Sequence, residues 1–165
     1  MEECAQNFMV SPASVLAMNR GSSSIKFAVY QTRPQLKMSL VGKVDRVGLD
    51  GTTLSWQAAQ SGRGEGQTEA LDSDPGPGSL INWLQLRPEF AAVRGVGHRV
   101  VHGMAHTEPA RTTTELLDEL HRAEPYAPDH LPREIELIEA FGEHHPDLPQ
   151  VACFDTAFHD PVPMR

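Results

Sequence analysis

Three short stretches of this chain carry residue types that can handle phosphate and carboxylate groups. The first is Asn19-Arg20-Gly21-Ser22-Ser23-Ser24-Ile25-Lys26. Gly21 lets the backbone take φ > 0 and approach a ligand closely, and successive backbone N–H groups in such a turn form a concavity that suits an anion. The hydroxyls of Ser22, Ser23 and Ser24 add rotatable donors. Lys26 adds a positive charge, and Asn19 can donate to an oxyanion or orient a metal-bound water. That is a phosphate cradle in outline. Neither G-x-x-x-x-G-K-[ST] nor G-x-G-x-x-G is present, and a serine-rich hairpin without a ligand has the same composition.

The second stretch is Gly97-His98-Arg99-Val100-Val101-His102-Gly103. Arg99 stands at the end of a candidate strand, where its planar fork suits a carboxylate or phosphoryl group; the plain alternative is a solvated surface arginine. In a strand, His98 and His102 share a face with Val100. A zinc site there needs a third ligand, and no Cys or His stands at a suitable spacing. The third stretch, Phe154-Asp155-Thr156-Ala157-Phe158-His159, sets a carboxylate just beyond an apolar run. Asp155 can hold Mg²⁺ through water or accept a proton, or simply cap the next turn. Ser, His and Asp are all available, but a hydrolytic triad lacks its G-x-S-x-G elbow here.

The elements that must position these groups follow from periodicity. Val15-Leu16-Ala17-Met18 leads into the first stretch, and Ile25, Phe27 and Val29 alternate with Ser24, Lys26 and Ala28 after it, which predicts strand, tight turn, strand. Lys37 to Val44, with Met38, Leu40 and Val44 alternating, and Thr52 to Trp56 predict two further antiparallel strands. Gln57 to Gly78 reads as loop. Ser79 is placed to cap a short helix carrying Leu80, Ile81, Trp83, Leu84 and Leu86, stopped by Pro88. Val93 to Val101 predicts a buried strand. Thr112 and Glu115 fit a capping box, and a second helix follows Pro132 with the stripe Ile135, Ile138, Phe141, ended by Gly142 and Pro146. Pro149 to Phe154 is a short strand that delivers Asp155. The order predicts an α/β domain with a mixed sheet, antiparallel hairpins first, a parallel addition later, and flanking helices.

Composition bounds the function. The chain has 165 residues, 39% hydrophobic and 22% charged, as expected of one globular domain with a real core. A net charge of -8 argues against nucleic acid as partner, yet a local cation cluster can still bind a small anion. Cys4 and Cys153 suggest neither a disulfide framework nor a CxxC metal site, which points to a reduced, cytoplasmic setting. No apolar run approaches about 18 residues, so no membrane span is expected. The start is acidic and unlike a secretory signal. Residues 1–14 read as a loose extension.

Taken together and in this order, N-x-G-S-S-S-x-K, G-H-R-V-V-H-G and F-D-T-A-F-H closely resemble the acetate kinase family, as does Tyr126-Ala127-Pro128-Asp129-His130-Leu131-Pro132. The resemblance runs from Val15 to Pro163. It implies a ribonuclease-H-like domain of the actin, Hsp70 and sugar kinase superfamily. It also implies phosphoryl transfer from ATP to acetate or another short-chain carboxylate, giving an acyl phosphate and ADP with Mg²⁺, in a protein that is a homodimer at full length. By position, Asn19 matches a magnesium-associated asparagine, Lys26 an ATP lysine, Arg99 the substrate-binding arginine, Val101 a residue on the substrate's methyl and Asp155 the catalytic aspartate. His130 matches a histidine near the reaction centre. Phosphoryl transfer needs positioning and charge neutralisation more than covalent help, which agrees with that kit.

The departures are also specific. Met104 stands where the family usually has a second glycine after His102-Gly103, which would crowd the loop. Asp129 stands where the family usually has a leucine lining the acyl pocket. Arg20 replaces a small residue and would add a cation beside the cradle. The chain stops at Met164-Arg165, so the domain expected over residues 15–165 is an N-terminal half without its nucleotide-binding C-terminal domain. Alone it is expected to make negligible acyl phosphate. The alternative reading is a stand-alone anion-binding or interaction domain without turnover.

Overall fold

The structure, a computed structural model, describes residues 13–59, 66–71 and 77–158. The chain opens as an antiparallel meander. Strands β1 (Ser14–Arg20), β2 (Ser24–Gln31), β3 (Lys37–Asp45) and β4 (Thr53–Ala58) each pair with the next. The period-two pattern is what fixes the faces: Leu16 and Met18 in β1 and Ile25, Phe27 and Val29 in β2 are all buried. The extension expected over residues 1–14 lies outside the described residues up to position 12, and Ser14 is already strand and buried.

Met38 departs from its expected place. Leu40 pairs with Val29 but Met38 pairs with Tyr30, so one extra residue on β3 shifts the register. Beyond that bulge every side chain changes face, and Met38 is 44% exposed while Leu40 and Val44 are buried. The polar stretch expected as loop over residues 57–78 holds a further strand, β5 (Gln67–Ala70), antiparallel to β4. Its four residues are all exposed, so no apolar periodicity marked it. Residues 60–65 and 72–76 of that stretch lie outside the described residues.

Between Phe27 and Trp56, the cross-strand partner is Gly42. A Cβ there would come within 2.3 Å of the Phe27 ring and 2.9 Å of the Ser55 carbonyl oxygen. The missing side chain lets the two aromatic rows close under Trp83, which stands 5.8 Å from Phe27 and 5.0 Å from Trp56 between ring centroids. Gly42→Ala should therefore overpack this layer and cost about 1–3 kcal/mol, read as a lowered urea midpoint at unchanged slope. An unchanged midpoint would mean that the layer has slack.

Helix α1 (Gly78–Gln85) supplies Trp83 with Leu80, Ile81 and Leu84. Its N-cap residue is Pro77, with no side-chain cap, so Ser79 lies inside the first turn rather than at its start. Leu86, expected on the apolar stripe, falls after the helix and is 79% exposed. Strand β6 (Val93–Val100) then pairs parallel with β1, and β8 (Gln150–Phe154) parallel with β6. A two-residue strand, β7 (Ala110–Arg111), closes the edge of β8.

Between β6 and β8 run α2 (Thr114–Ala123) and α3 (Leu131–His144). The cap of α2 is Thr113, whose hydroxyl accepts the Leu116 N–H, one residue later than the expected capping box. Gly142 does not end α3, which continues to His144. The eight strands among the described residues form one sheet in the order β5-β4-β3-β2-β1-β6-β8-β7. Helices α1, α2 and α3 pack on one face of it. Leu80, Ile81, Leu84, Leu137 and Phe141 meet Leu16, Phe27 and Val96, while Leu116, Leu120, Ile135 and Ile138 meet Val100, Ala152 and Phe154. A meander followed by two parallel strands joined through helices is the expected ribonuclease-H-like α/β arrangement.

Candidate active site

The parallel strands β1, β6 and β8 end side by side, and ligands of α/β sheets gather at such carboxyl ends. Asn19 pairs with Arg99, and Arg99 with Cys153, so Asp155 arises just beyond the next strand at the start of α4 (Asp155–Phe158). The three groups meet. Arg99 Nε donates to Asp155 Oδ1 at 3.0 Å, Nη2 to Oδ2 at 2.5 Å, and Nη1 to Asn19 Oδ1 at 3.2 Å. This is the two-pronged pairing that guanidinium geometry favours. Both partners remain partly exposed, with side-chain accessibility of 45% for Arg99 and 32% for Asp155.

Lys26 lies directly across the hairpin from Asn19, exposed and with no carboxylate partner among the described residues. A groove of about 750 Å³ crosses this helix-free face of the sheet, lined by Asn19, Lys26, Lys43 and Arg99 over a floor that includes Ala17 and Gly97. Alternation contributes to it: among the residues on this face Ala17, Ala28 and Gly97 are small, and Lys26, Lys43 and Arg99 are cationic.

The turn between β1 and β2 differs from the expected cradle. Gly21 does not take a left-handed φ, and its N–H donates to the Ser24 carbonyl at 2.7 Å, closing the turn rather than facing an anion. The carbonyls of Ser22 and Ser23 are pinned by Arg133 Nη1 and by the Val47 N–H. What remains without a partner among the described residues is the pair of N–H groups of Ser22 and Ser23 and the serine hydroxyls. Arg20, expected as a cation beside the cradle, alternates to the inner face and is only 5% exposed. Burial lowers its affinity for a proton, against the pull of Glu136 and with the push of Arg133.

His98 and His102 are not brought together. His98 is buried on the inner face, donating Nε2–H to Gln150 Oε1 at 2.7 Å and lying edge-on to Phe141. Burial holds its pKa down to about 4, against the Gln150 bond, so it is a neutral core residue at physiological pH. Strand β6 stops at Val100, and His102 turns toward Tyr126 beyond it. Among the described residues no cluster of three His, Cys, Asp or Glu side chains is arranged to hold a metal.

Val101, half-buried, follows the strand, and its N–H donates to Glu134 Oε2 at 3.0 Å. Glu134 is the site residue that sequence reasoning passed over, although a signal existed. It stands three residues after Leu131 and four before Ile138, on the apolar stripe of α3, where an acid is out of place. Met104 has φ 53°, a left-handed conformation that glycine adopts freely, and its side chain is exposed. Its departure from the family pattern is thus one of backbone conformation, not of crowding. The tight position is Gly103, where a Cβ would lie 2.5 Å from the Phe154 ring. Asp129 and His130 stand outside the hydrogen-bonded cluster; both are exposed, His130 as the N-cap residue of α3, and no side chain caps that helix.

Residues 14–165 match the model of the acetokinase family. The chain belongs to the acetokinase family. An acetate kinase from Rhodopseudomonas palustris is 35% identical over 157 residues, covering 90% of this chain, and one from Deinococcus radiodurans is 37% identical over 150 residues, again covering 90%. Among solved structures, a propionate kinase from Francisella tularensis and an acetate kinase from Porphyromonas gingivalis each superimpose with a TM-score of 0.79 at 27% identity over 92% of this chain. The chain spans 39% of the Rhodopseudomonas protein, 37% of the Deinococcus protein and 39% of each of those two structures. No helix among the described residues is long and apolar enough to cross a membrane.

Proposed function

We propose that this chain provides the carboxylate-binding side of an ATP-dependent carboxylate phosphotransferase, one that makes an acyl phosphate and ADP from acetate or another short-chain acid. The observation that carries the reading is the Asn19–Arg99–Asp155 cluster at the ends of three parallel strands, open to a cation-lined groove. An arginine has five N–H donors; Asp155 and Asn19 engage one each on Nε, Nη2 and Nη1, so two remain for a substrate carboxylate without release of Asp155. A carboxylate nucleophile has no proton to lose. As its oxygen bonds to the γ-phosphorus and the bond to the β-phosphate oxygen breaks, what is needed is alignment and charge neutralisation. Arg99 supplies both, Asp155 holds it in line, and Lys26 with the donors of Ser22, Ser23 and Ser24 would meet the phosphate side. Val101 would face the acyl tail, with His130 near the reaction centre.

Magnesium fits these residues in a limited way. The donors at hand, the Asn19 amide oxygen and the Asp155 carboxylate, are hard oxygens, and Mg²⁺ is usually held by one or two such groups with water and substrate phosphates rather than by an all-protein cage. Asn19 would hold it, and its chemistry would be to neutralise phosphate charge. The setting we propose is a cytoplasmic protein, homodimeric at the family's full length, with neither nucleic acid nor membrane as partner. The test is a hydroxamate assay for acyl phosphate, with ATP, Mg²⁺ and acetate or propionate, on a protein of the family's full length carrying this chain. Absence of product with intact ATP and carboxylate binding would leave an anion-binding domain without turnover.

Asp129 adds a specificity prediction. If it lines the acyl pocket, an acid there opposes a plain methyl and repels the substrate carboxylate. Acetate should then bind poorly beside a short acid bearing a hydrogen-bond donor, and Asp129→Leu should lower the KM for acetate about tenfold, the scale of one short-range charge repulsion at a partly solvated site. A leucine variant with unchanged KM would remove Asp129 from the pocket.

A further inference from the structure

Glu134 is a carboxyl that the proposed reaction does not use. It lies in the first turn of α3, 2% exposed, and among the described residues no other carboxylate is buried. Its Oε2 accepts the Val101 N–H at 3.0 Å, and its Oε1 has no partner among the described residues. Because Val101 follows Arg99 by two positions, this bond ties the exit of β6 to the start of α3. A carboxylate with one unsatisfied buried oxygen is costly, whereas a neutral carboxyl keeps Oε2 as acceptor and carries its proton on Oε1. Burial accordingly pushes the group up to about 7, opposed by the Val101 N–H and by Arg99 and aided by Asp155.

The charges that act on Glu134 come from the neighbouring strand ends, Arg99 near the end of β6 and Asp155 just after β8. Other titratable groups nearby are engaged elsewhere. Arg20 at the end of β1 sits among Glu136 and Arg133 of α3. On the loop after β6, His102 faces Tyr126, and His106 stacks on Phe154 and bonds Glu119 of α2. His98 bonds Gln150, His130 is exposed at the N-cap of α3, and His121 of α2 reaches Glu139 further along α3. So Arg99 meets two opposing carboxylates when Glu134 is ionised and one when it is neutral. An incoming carboxylate anion is better received in the second state.

We propose that Glu134 is a positioning residue for the carboxylate site, one that holds the Val101 backbone beside Arg99 and takes up a proton when a monocarboxylate binds there. The proposal rests on the reading of Arg99 as the carboxylate clamp. Propionate, which stays ionised throughout, is the probe, titrated into the protein between pH 6 and pH 8 while the amide resonances are followed by NMR. In the wild type the Val101 amide should titrate with a midpoint near 7 without ligand, and propionate affinity should fall about tenfold from pH 6 to pH 8 as the protonated fraction falls from about nine-tenths to about one-tenth. Glu134→Gln keeps an acceptor for the Val101 N–H but cannot ionise. It should show a flat Val101 resonance and, at both pH values, the affinity that the wild type has at pH 6. A wild-type affinity independent of pH, a Val101 amide that does not titrate, or a pH dependence that survives in Glu134→Gln overturns the proposal while leaving the clamp intact. Propionate binding at no pH overturns the clamp reading itself, and this proposal with it.

Discussion

Arg99→Ala is expected to lower kcat/KM for the carboxylate about 10²- to 10³-fold in a protein of the family's full length, the scale on which a single charge-stabilising donor usually matters. The change removes the two N–H groups proposed for the substrate and, at the same time, a group that binds Asp155 and Asn19 to each other. Arg99→Lys keeps the charge but replaces a planar fork by a point donor, so it should recover only part of the loss. Since the side chain is nearly half exposed, stability should hardly change, and an unaltered urea midpoint separates lost chemistry from lost fold. If the lysine protein matched the wild type, a clamp built on two-pronged geometry would be the wrong picture.

Phe154→Ala should have the largest effect on stability, about 3–5 kcal/mol, because it empties one of the largest fully buried side chains. Phe154 is the last residue of β8 and is followed at once by Asp155. Its ring packs against the backbone at Gly103 and stacks on His106 at 5.2 Å between centroids. The cavity thus opens beneath both the β6 exit loop and the strand end that carries Asp155. Chemical denaturation checks the stability loss. A loss below about 1 kcal/mol would show that the site collapses around the gap, which the spread of measured large-to-small costs allows only for loosely packed positions.

Where each face of an element had a distinct chemistry, the sequence was a good guide to the structure. The β1–β2 hairpin and the α3 stripe follow from alternation or helical spacing among Leu16, Ile25, Phe27, Ile135 and Ile138, and the parallel addition from the order of the later elements. Long-range information was out of reach. Nothing local marks Ser39 as the bulge that turns Met38 outward, and β5 has no buried residue to announce it. The side to which Arg20 points depends on the hairpin register, and the left-handed backbone at Met104 depends on the loop it closes. For the site, motif order led to Asn19, Arg99 and Asp155, which the fold joins. Glu134 escaped notice because its importance lies in a bond to a backbone N–H 33 residues away.

The same arrangement bears on how the molecule comes into being. The members of the central cluster are numbered 19, 99 and 155, and no two of them share a strand. The meander from β1 to β4 pairs neighbours in sequence and can form early, whereas the parallel pairings of β1 with β6 and β6 with β8 must first close long stretches of chain. The Arg99–Asp155 bond therefore cannot exist in any partly folded species that lacks a docked β8. A half-made molecule can bury Leu16 and Phe27, but it has no assembled Asn19–Arg99–Asp155 cluster to expose to the cell.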